Sequence, residues 1–118
     1  MSLKVDRSSL ESGIELLALS GSLTLGRDAQ NFEWTVEELV KNGKTRIVVD
    51  LTEVPFVDSA GIGILVGCHG KVSTAGGHFR LAGVAERVMN VLRITKVDSI
   101  IRMDAGVADS IREIGGAA

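Results

Sequence analysis

The apolar positions of this chain follow two periods that alternate along it. Ile47, Val48 and Val49 form an unbroken β-branched run, the mark of a strand buried on both faces. Asp50, Thr52, Glu53 and the only proline, Pro55, interrupt it. A short piece, Phe56-Val57, leads into Asp58-Ser59-Ala60-Gly61, after which Ile62, Leu65, Val66 and Val72 recur at helical spacing. The pattern predicts a strand, a connection and a helix running to about Ala75. Ser59 stands where the N-cap of that helix is expected.

The same reading extends in both directions. Lys4 to Ser9 is a candidate edge strand, and Ile14 to Ser20 begins with alternation and becomes apolar. The Ser12-Gly13 turn between them predicts a hairpin. Leu23 to Gly26 has no clear period and reads as a link. From Asp28 to Asn42, Ala29, Phe32, Val36, Leu39 and Val40 make a helical stripe that stops at Asn42-Gly43. Trp34 lies off the stripe. It is expected to pack at the edge of the core, with an exposed contact surface as the alternative. Downstream, His78 to Ala82 reads as a strand and Val84 to Ile94 as a helix. Ser99 to Met103 reads as a short strand, Val107 to Ile114 as an amphipathic helix, and Gly115 to Ala118 as a frayed tail.

The predicted order is β-β-α-β-α-β-α-β-α. A helix between successive strands requires parallel pairing there, with right-handed crossovers. The expected fold is α/β, a single domain over residues 1–118, with a mixed sheet of about five strands and helices packed on it.

The helix that starts at Ser59 is unusual, because Gly61, Gly63, Gly67 and Gly70 all fall within it. Each costs about 1 kcal/mol relative to alanine in a helix interior, so packing must hold the helix together. Ser59, Gly63, Gly67 and either Gly70 or Lys71 share one face. That face either receives the backbone of a partner or lets the helix approach its own sheet. Ser59 is also open to two readings. Serine caps many helices, and a plain cap is the cheaper explanation. The first turn of a helix also favours a phosphate, through its free N–H groups and its dipole.

Composition narrows the partners. The 118 residues are 45% hydrophobic and 24% charged, an ordinary soluble balance. The net charge of −2 gives no basic field for nucleic acid. No apolar run approaches the ~20 residues that span a membrane, and the N-terminus has no signal-peptide pattern. A lone cysteine, Cys68, suits a reducing cytoplasm. With no tyrosine and few aromatics, stacking platforms for bases are not expected.

Residues in chemistry-bearing arrangements are few. Cys68, His69 and His78 do not have metal-ligand spacing, so neither a metal nor a cofactor is expected. His69 lies about 15 Å along the helix from Ser59, too far to act as its base. G-x-S-x-G, G-x-G-x-x-G and Walker motifs are absent. Asp50, Glu53 and Asp58 are explained more cheaply by loop solvation and capping than by catalysis. The residues argue against an enzyme, and no catalytic residue is assigned.

The run D-L-T-E-V-P-F-V-D-S-A-G-I-G-I-L, from Asp50 to Leu65, resembles the signature of the anti-sigma factor antagonists of the STAS domain family. Gly21 to Leu23, the H-F-R-L-A-G segment at His78 to Gly83 and the element order agree, so the resemblance covers nearly the whole chain. It implies that Ser59 is a phosphoacceptor. An anti-sigma factor that is itself a serine kinase would phosphorylate it, and a serine phosphatase would reset it. The unphosphorylated form would bind the anti-sigma factor and release the sigma factor. Asp58, Ser59, Ala60, Gly61, Gly63, Gly67 and Thr24 are the implied partner-binding residues. Thr24 marks a departure, since many relatives carry an aspartate at this place. It is either a plain loop residue, a determinant of kinase choice, a second phosphoacceptor or the mark of a regulator not phosphorylated in the usual way. Two other roles remain within the resemblance: a scaffold subunit of a multi-protein stress-signalling assembly, and a nucleotide- or small-molecule-binding regulator.

Overall fold

A computed structural model describes residues 3–116. Five strands form one sheet in the order β1 (Lys4–Ser9), β2 (Glu15–Ser20), β3 (Arg46–Glu53), β4 (His78–Ala82) and β5 (Arg102–Asp104). β1 and β2 pair antiparallel, and every later pairing is parallel. The sheet is mixed, as the element order predicts. The hairpin turns through a short 3-10 helix, Glu11–Gly13, in which Ser12 and Gly13 both take positive φ.

From β2 onward each strand joins the sheet on the same side of its predecessor. Right-handed crossovers then all land on one face. Helices α1 (Arg27–Lys41), α2 (Ser59–Thr74) and α3 (Glu86–Ile94) do bury their apolar residues in one cluster with Leu17, Leu19, Ile47, Val49, Leu51, Phe79 and Leu81. The opposite face is left for α4 (Val107–Gly116), whose Ile114 packs on Ile14, Val48 and Ala82. Ile47 and Val49 thus enter one core and Val48 the other. The β-branched run is buried on both faces, as its composition requires.

Polar contacts fix the helices laterally. Lys71 Nζ of α2 lies 2.6 Å from Glu37 Oε2 and 3.2 Å from Glu33 Oε2 of α1. The hydrogen bond to Glu37, and then that to Glu33, raises the Lys71 ammonium above the ordinary lysine range. On the other face, Arg80 Nε and Nη2 donate to the Asp104 carboxylate at 2.7 and 3.0 Å, and buried Ser110 donates to it at 2.6 Å. This group ties β4, β5 and α4 together.

Several expectations change. Trp34 is 62% exposed, so it does not pack at the core edge. Phe32 and Val36 place the buried side of α1, and Trp34 falls on the opposite side of the helix. Val84 and Ala85 precede α3 instead of opening it. Lys96 takes a left-handed conformation after α3, and a 3-10 turn at Val97–Ser99 follows. The last strand therefore begins at Arg102, not at Ser99. Gly115 and Gly116 belong to α4; residues 117 and 118 lie outside the described part. Among the described residues, no helix is long and apolar enough to cross a membrane.

Candidate functional site

The site is built where two loops run side by side at the C-terminal ends of β2 and β3. Gly21 donates to the Glu53 carbonyl at 3.0 Å, and Leu23 donates to the Phe56 carbonyl at 2.9 Å. Asp58 N–H returns to the Leu23 carbonyl at 3.2 Å, and Leu23 and Val57 form an isolated parallel bridge. Leu23 and Val57 are buried beneath this stitching. The flanking Leu25 and Phe56 are not: they are 77% and 51% exposed.

Asp58, not Ser59, is the N-cap of α2. Its backbone is extended, its carbonyl accepts the first helical bond from Ile62 at 3.0 Å, and its Oδ1 accepts from Gly61 N–H at 2.8 Å. Asp and Ser are near-equal caps. What decides between them is that the aspartate's second oxygen has a further task. Oδ2 accepts the Leu25 N–H at 3.0 Å, from the neighbouring loop. These bonds, Leu25 first and Gly61 next, hold the Asp58 carboxyl below the ordinary aspartate value. It is a carboxylate at neutral pH. Ser59 becomes the first helical residue and is exposed.

The glycines of α2 divide by face. A Cβ on Gly61 would stand 2.2 Å from the Leu23 carbonyl oxygen, so this buried glycine faces the loop, not a partner. Its absent side chain lets α2 meet residues 21–26. Gly63 and Gly70 have nothing within 4 Å of a built Cβ, and a Cβ on Gly67 would lie 3.9 Å from Glu33 Oε2. The strip Ser59, Gly63 and Gly70 is therefore an open outer face, bordered at Gly67 by α1. Ala60 is half-buried beside it. Thr24 is half-buried on the stitched loop, one residue before the Leu25 amide that Asp58 holds. This loop and the start of α1, with Ser22, Thr24, Leu25, Arg27 and Asp28, line an open cavity of about 200 Å³.

Of the residues singled out from sequence, Thr24, Asp58, Ser59, Ala60 and Gly63 come together here. Gly67 lies two turns further along α2, and Gly61 is turned inward. Leu25 and Phe56 were missed. Their signal was weak: two large apolar residues in stretches without a period. Among the described residues, no group of three or more His, Cys, Asp and Glu side chains is placed to hold a metal ion.

The model of the STAS domain matches residues 10–111. The chain belongs to the STAS domain family, among its anti-sigma factor antagonists. A relative is the TM1081 homolog of Thermotoga neapolitana, which carries the name of anti-sigma factor antagonist. It is 32% identical over 84 residues, covering 71% of this chain and 74% of its own. TM1081 of Thermotoga maritima has a crystal structure with a TM-score of 0.86 at 24% identity, covering 93% of both chains. The phosphorylated form of SpoIIAA, a Bacillus cell-fate determinant, superposes with a TM-score of 0.75 at 15% identity, over 94% of this chain and 99% of its own. At these identities the two structures speak for the fold.

Proposed function

We propose that this STAS protein is a partner switch set by Ser59. In its unphosphorylated form it binds an anti-sigma factor that is also a serine kinase, and so frees a sigma factor. The kinase transfers the γ-phosphoryl group of ATP. A bond forms between Ser59 Oγ and phosphorus, the bond to the ADP oxygen breaks, and the hydroxyl proton leaves to a base of the kinase. A serine phosphatase hydrolyses the phosphoester and resets the switch. The reading puts the protein in the cytoplasm, where sigma factors act.

The observation that carries this reading is the exposure of Ser59 at the first position of α2, beside the exposed Leu25 and Phe56. A kinase can reach that hydroxyl, and the two apolar side chains offer a contact surface around it. Gly63, Gly67, Ala60 and Thr24 extend the surface. Phosphorylation adds close to two negative charges. Next to the Asp58 carboxylate, that charge opposes burial in a complex. SpoIIAA, which shares the fold, is known in both unphosphorylated and phosphorylated forms, so the fold accommodates the modification.

The test is capture of partners from the native cell with wild-type, Ser59→Ala and Ser59→Asp baits. Wild type and Ser59→Ala should retain a kinase-like anti-sigma factor, and Ser59→Asp should bind it at least about tenfold more weakly, ~1.4 kcal/mol. Equal binding by Ser59→Ala and Ser59→Asp would refute the switch.

A further inference from the structure

We propose that Asp58 is a positioning residue that carries the state of Ser59 to the loop bearing Leu25. The inference rests on the switch reading above for its biological meaning, but the coupling itself can be measured without a partner. Its basis is the division of labour within one carboxylate. Oδ1 holds the Gly61 N–H of α2 at 2.8 Å, and Oδ2 holds the Leu25 N–H at 3.0 Å. The two amides belong to elements far apart in sequence, and this side chain bonds to both.

The other bonds of the loop do not depend on that charge. Leu23 N–H donates to the Phe56 carbonyl, and Asp58 N–H to the Leu23 carbonyl. They are backbone pairs. The link at Leu25 is the one made to an ionised side chain, and it holds an apolar residue that is 77% exposed.

A phosphoryl group on Ser59 enters this arrangement at its most sensitive point. Ile62 is the first residue of α2 to donate within the helix, which leaves the amides of Ser59, Ala60 and Gly61 to other acceptors. Asp58 takes that of Gly61. A dianion on the adjacent residue competes for the same helix end and repels the carboxylate. As Asp58 turns away, Leu25 N–H loses its acceptor and the Leu25 end of the loop is released, while the backbone pairs at Leu23 hold. Phosphorylation thus changes the apolar part of the surface, at Leu25, as well as the charge at Ser59.

The experiment is ¹⁵N-resolved NMR of wild type, Ser59→Asp, Asp58→Asn and the double variant. Asparagine is itself a good cap, so α2 should still form. In an acid titration of wild type, the Leu25 and Gly61 amides should move together with one midpoint. Asp58→Asn should abolish the joint titration. Ser59→Asp should shift the Leu25 amide toward its position in Asp58→Asn and leave Leu23 in place. In the Asp58→Asn background, Ser59→Asp should no longer move Leu25. A Leu25 amide that ignores Ser59→Asp, or that moves equally with and without Asp58, would overturn the inference. With a partner in hand, the affinity lost to Ser59→Asp should be at least threefold smaller in the Asp58→Asn background, and an unchanged loss would count against the coupling. If wild type captures no kinase-like partner, the switch reading falls while the amide test still decides the coupling.

Discussion

Two glycines of α2, a half-turn apart, should respond to the same substitution with opposite signs. Replacing glycine with alanine in a helix interior stabilises by about 1 kcal/mol. At Gly63 nothing stands within 4 Å of the new methyl group, so Gly63→Ala should show most of that gain. At Gly61 the methyl carbon would stand 2.2 Å from the Leu23 carbonyl oxygen and 3.0 Å from side-chain carbons of Leu23 and Val57. Ordinary C···O contacts are about 3.3 Å or longer, so loop and helix must part by roughly 1 Å. The Leu23 carbonyl accepts from Asp58 N–H, and the Leu23 side chain is fully buried; the loop cannot move freely. Overpacking costs about 1–3 kcal/mol, and straining the two hydrogen bonds that join Leu23 to Phe56 and Asp58 adds about 1 kcal/mol each. Less the helix gain, Gly61→Ala should destabilise by about 2–4 kcal/mol. For a chain of 118 residues, 1 kcal/mol corresponds to about 4 °C in Tm. Thermal unfolding followed by circular dichroism should therefore place Gly63→Ala about 2–4 °C above wild type and Gly61→Ala about 8–16 °C below it. Shifts of the same sign would mean that the two faces of α2 are wrongly assigned.

Other consequences are as specific. Asp104→Ala should cost about 2–3 kcal/mol in urea unfolding at pH 7, because it leaves Arg80 and Ser110 without their acceptor; with Arg80→Met added, part of that loss should return. The Arg80 guanidinium holds the Asp104 carboxyl below the ordinary aspartate value. Its contribution is thus complete above that value and fades as the pH falls through the lower folded value, so wild type and Asp104→Ala should converge in stability in strong acid. Burial pushes the Cys68 thiol up to about 12. The thiolate is therefore scarce at pH 8, and a thiol reagent should modify buried Cys68 only as fast as the chain opens; rapid labelling of the native protein would contradict its burial. Trp34, at 62% exposure, should emit as a water-exposed indole and be quenched by acrylamide, and Trp34→Ala should change stability by less than about 0.5 kcal/mol. A blue-shifted, unquenched emission would place it in a contact that the structure lacks.

Much of the fold was legible because its strongest signals are local. Ile47-Val48-Val49 is buried on both faces, the Ala29-Phe32-Val36-Leu39 stripe faces the sheet, and the helix–strand alternation implies parallel pairing. The start of β5 was harder, since it depends on Lys96 turning left-handed into a 3-10 turn, which few lysines do. At the site, the helix start was legible but its cap was not. Asp58 and Ser59 are adjacent and both are cap-forming, and the bond to Leu25, 33 residues away in sequence, distinguishes them. The inward turn of Gly61 was available in principle. It lies in helical register with Leu65, Cys68 and Val72, all buried. Cys68 completes that register because cysteine behaves here as a small apolar residue. The exposure of Leu25 and Phe56 has no local signal, because it follows from how two loops stitch together around Leu23.

That arrangement bears on how a helix so poor in side chains would serve the proposed switch. Its inner face, Gly61, Leu65, Cys68 and Val72, is fully committed to the core and to the loop. Its outer face, from Ser59 through Gly63 to Gly70, carries almost nothing that the fold needs. A change of charge at Ser59 therefore has little packing to disturb. In the proposed coupling Asp58 is where the two faces communicate, because the same carboxylate ends the helix and holds the loop. If stability and binding are separable in this way, Gly63→Leu should keep the wild-type Tm within about 4 °C and still lose the partner. A variant that keeps both would show that the partner does not lie along α2, and would confine recognition to Ser59, Leu25 and Phe56.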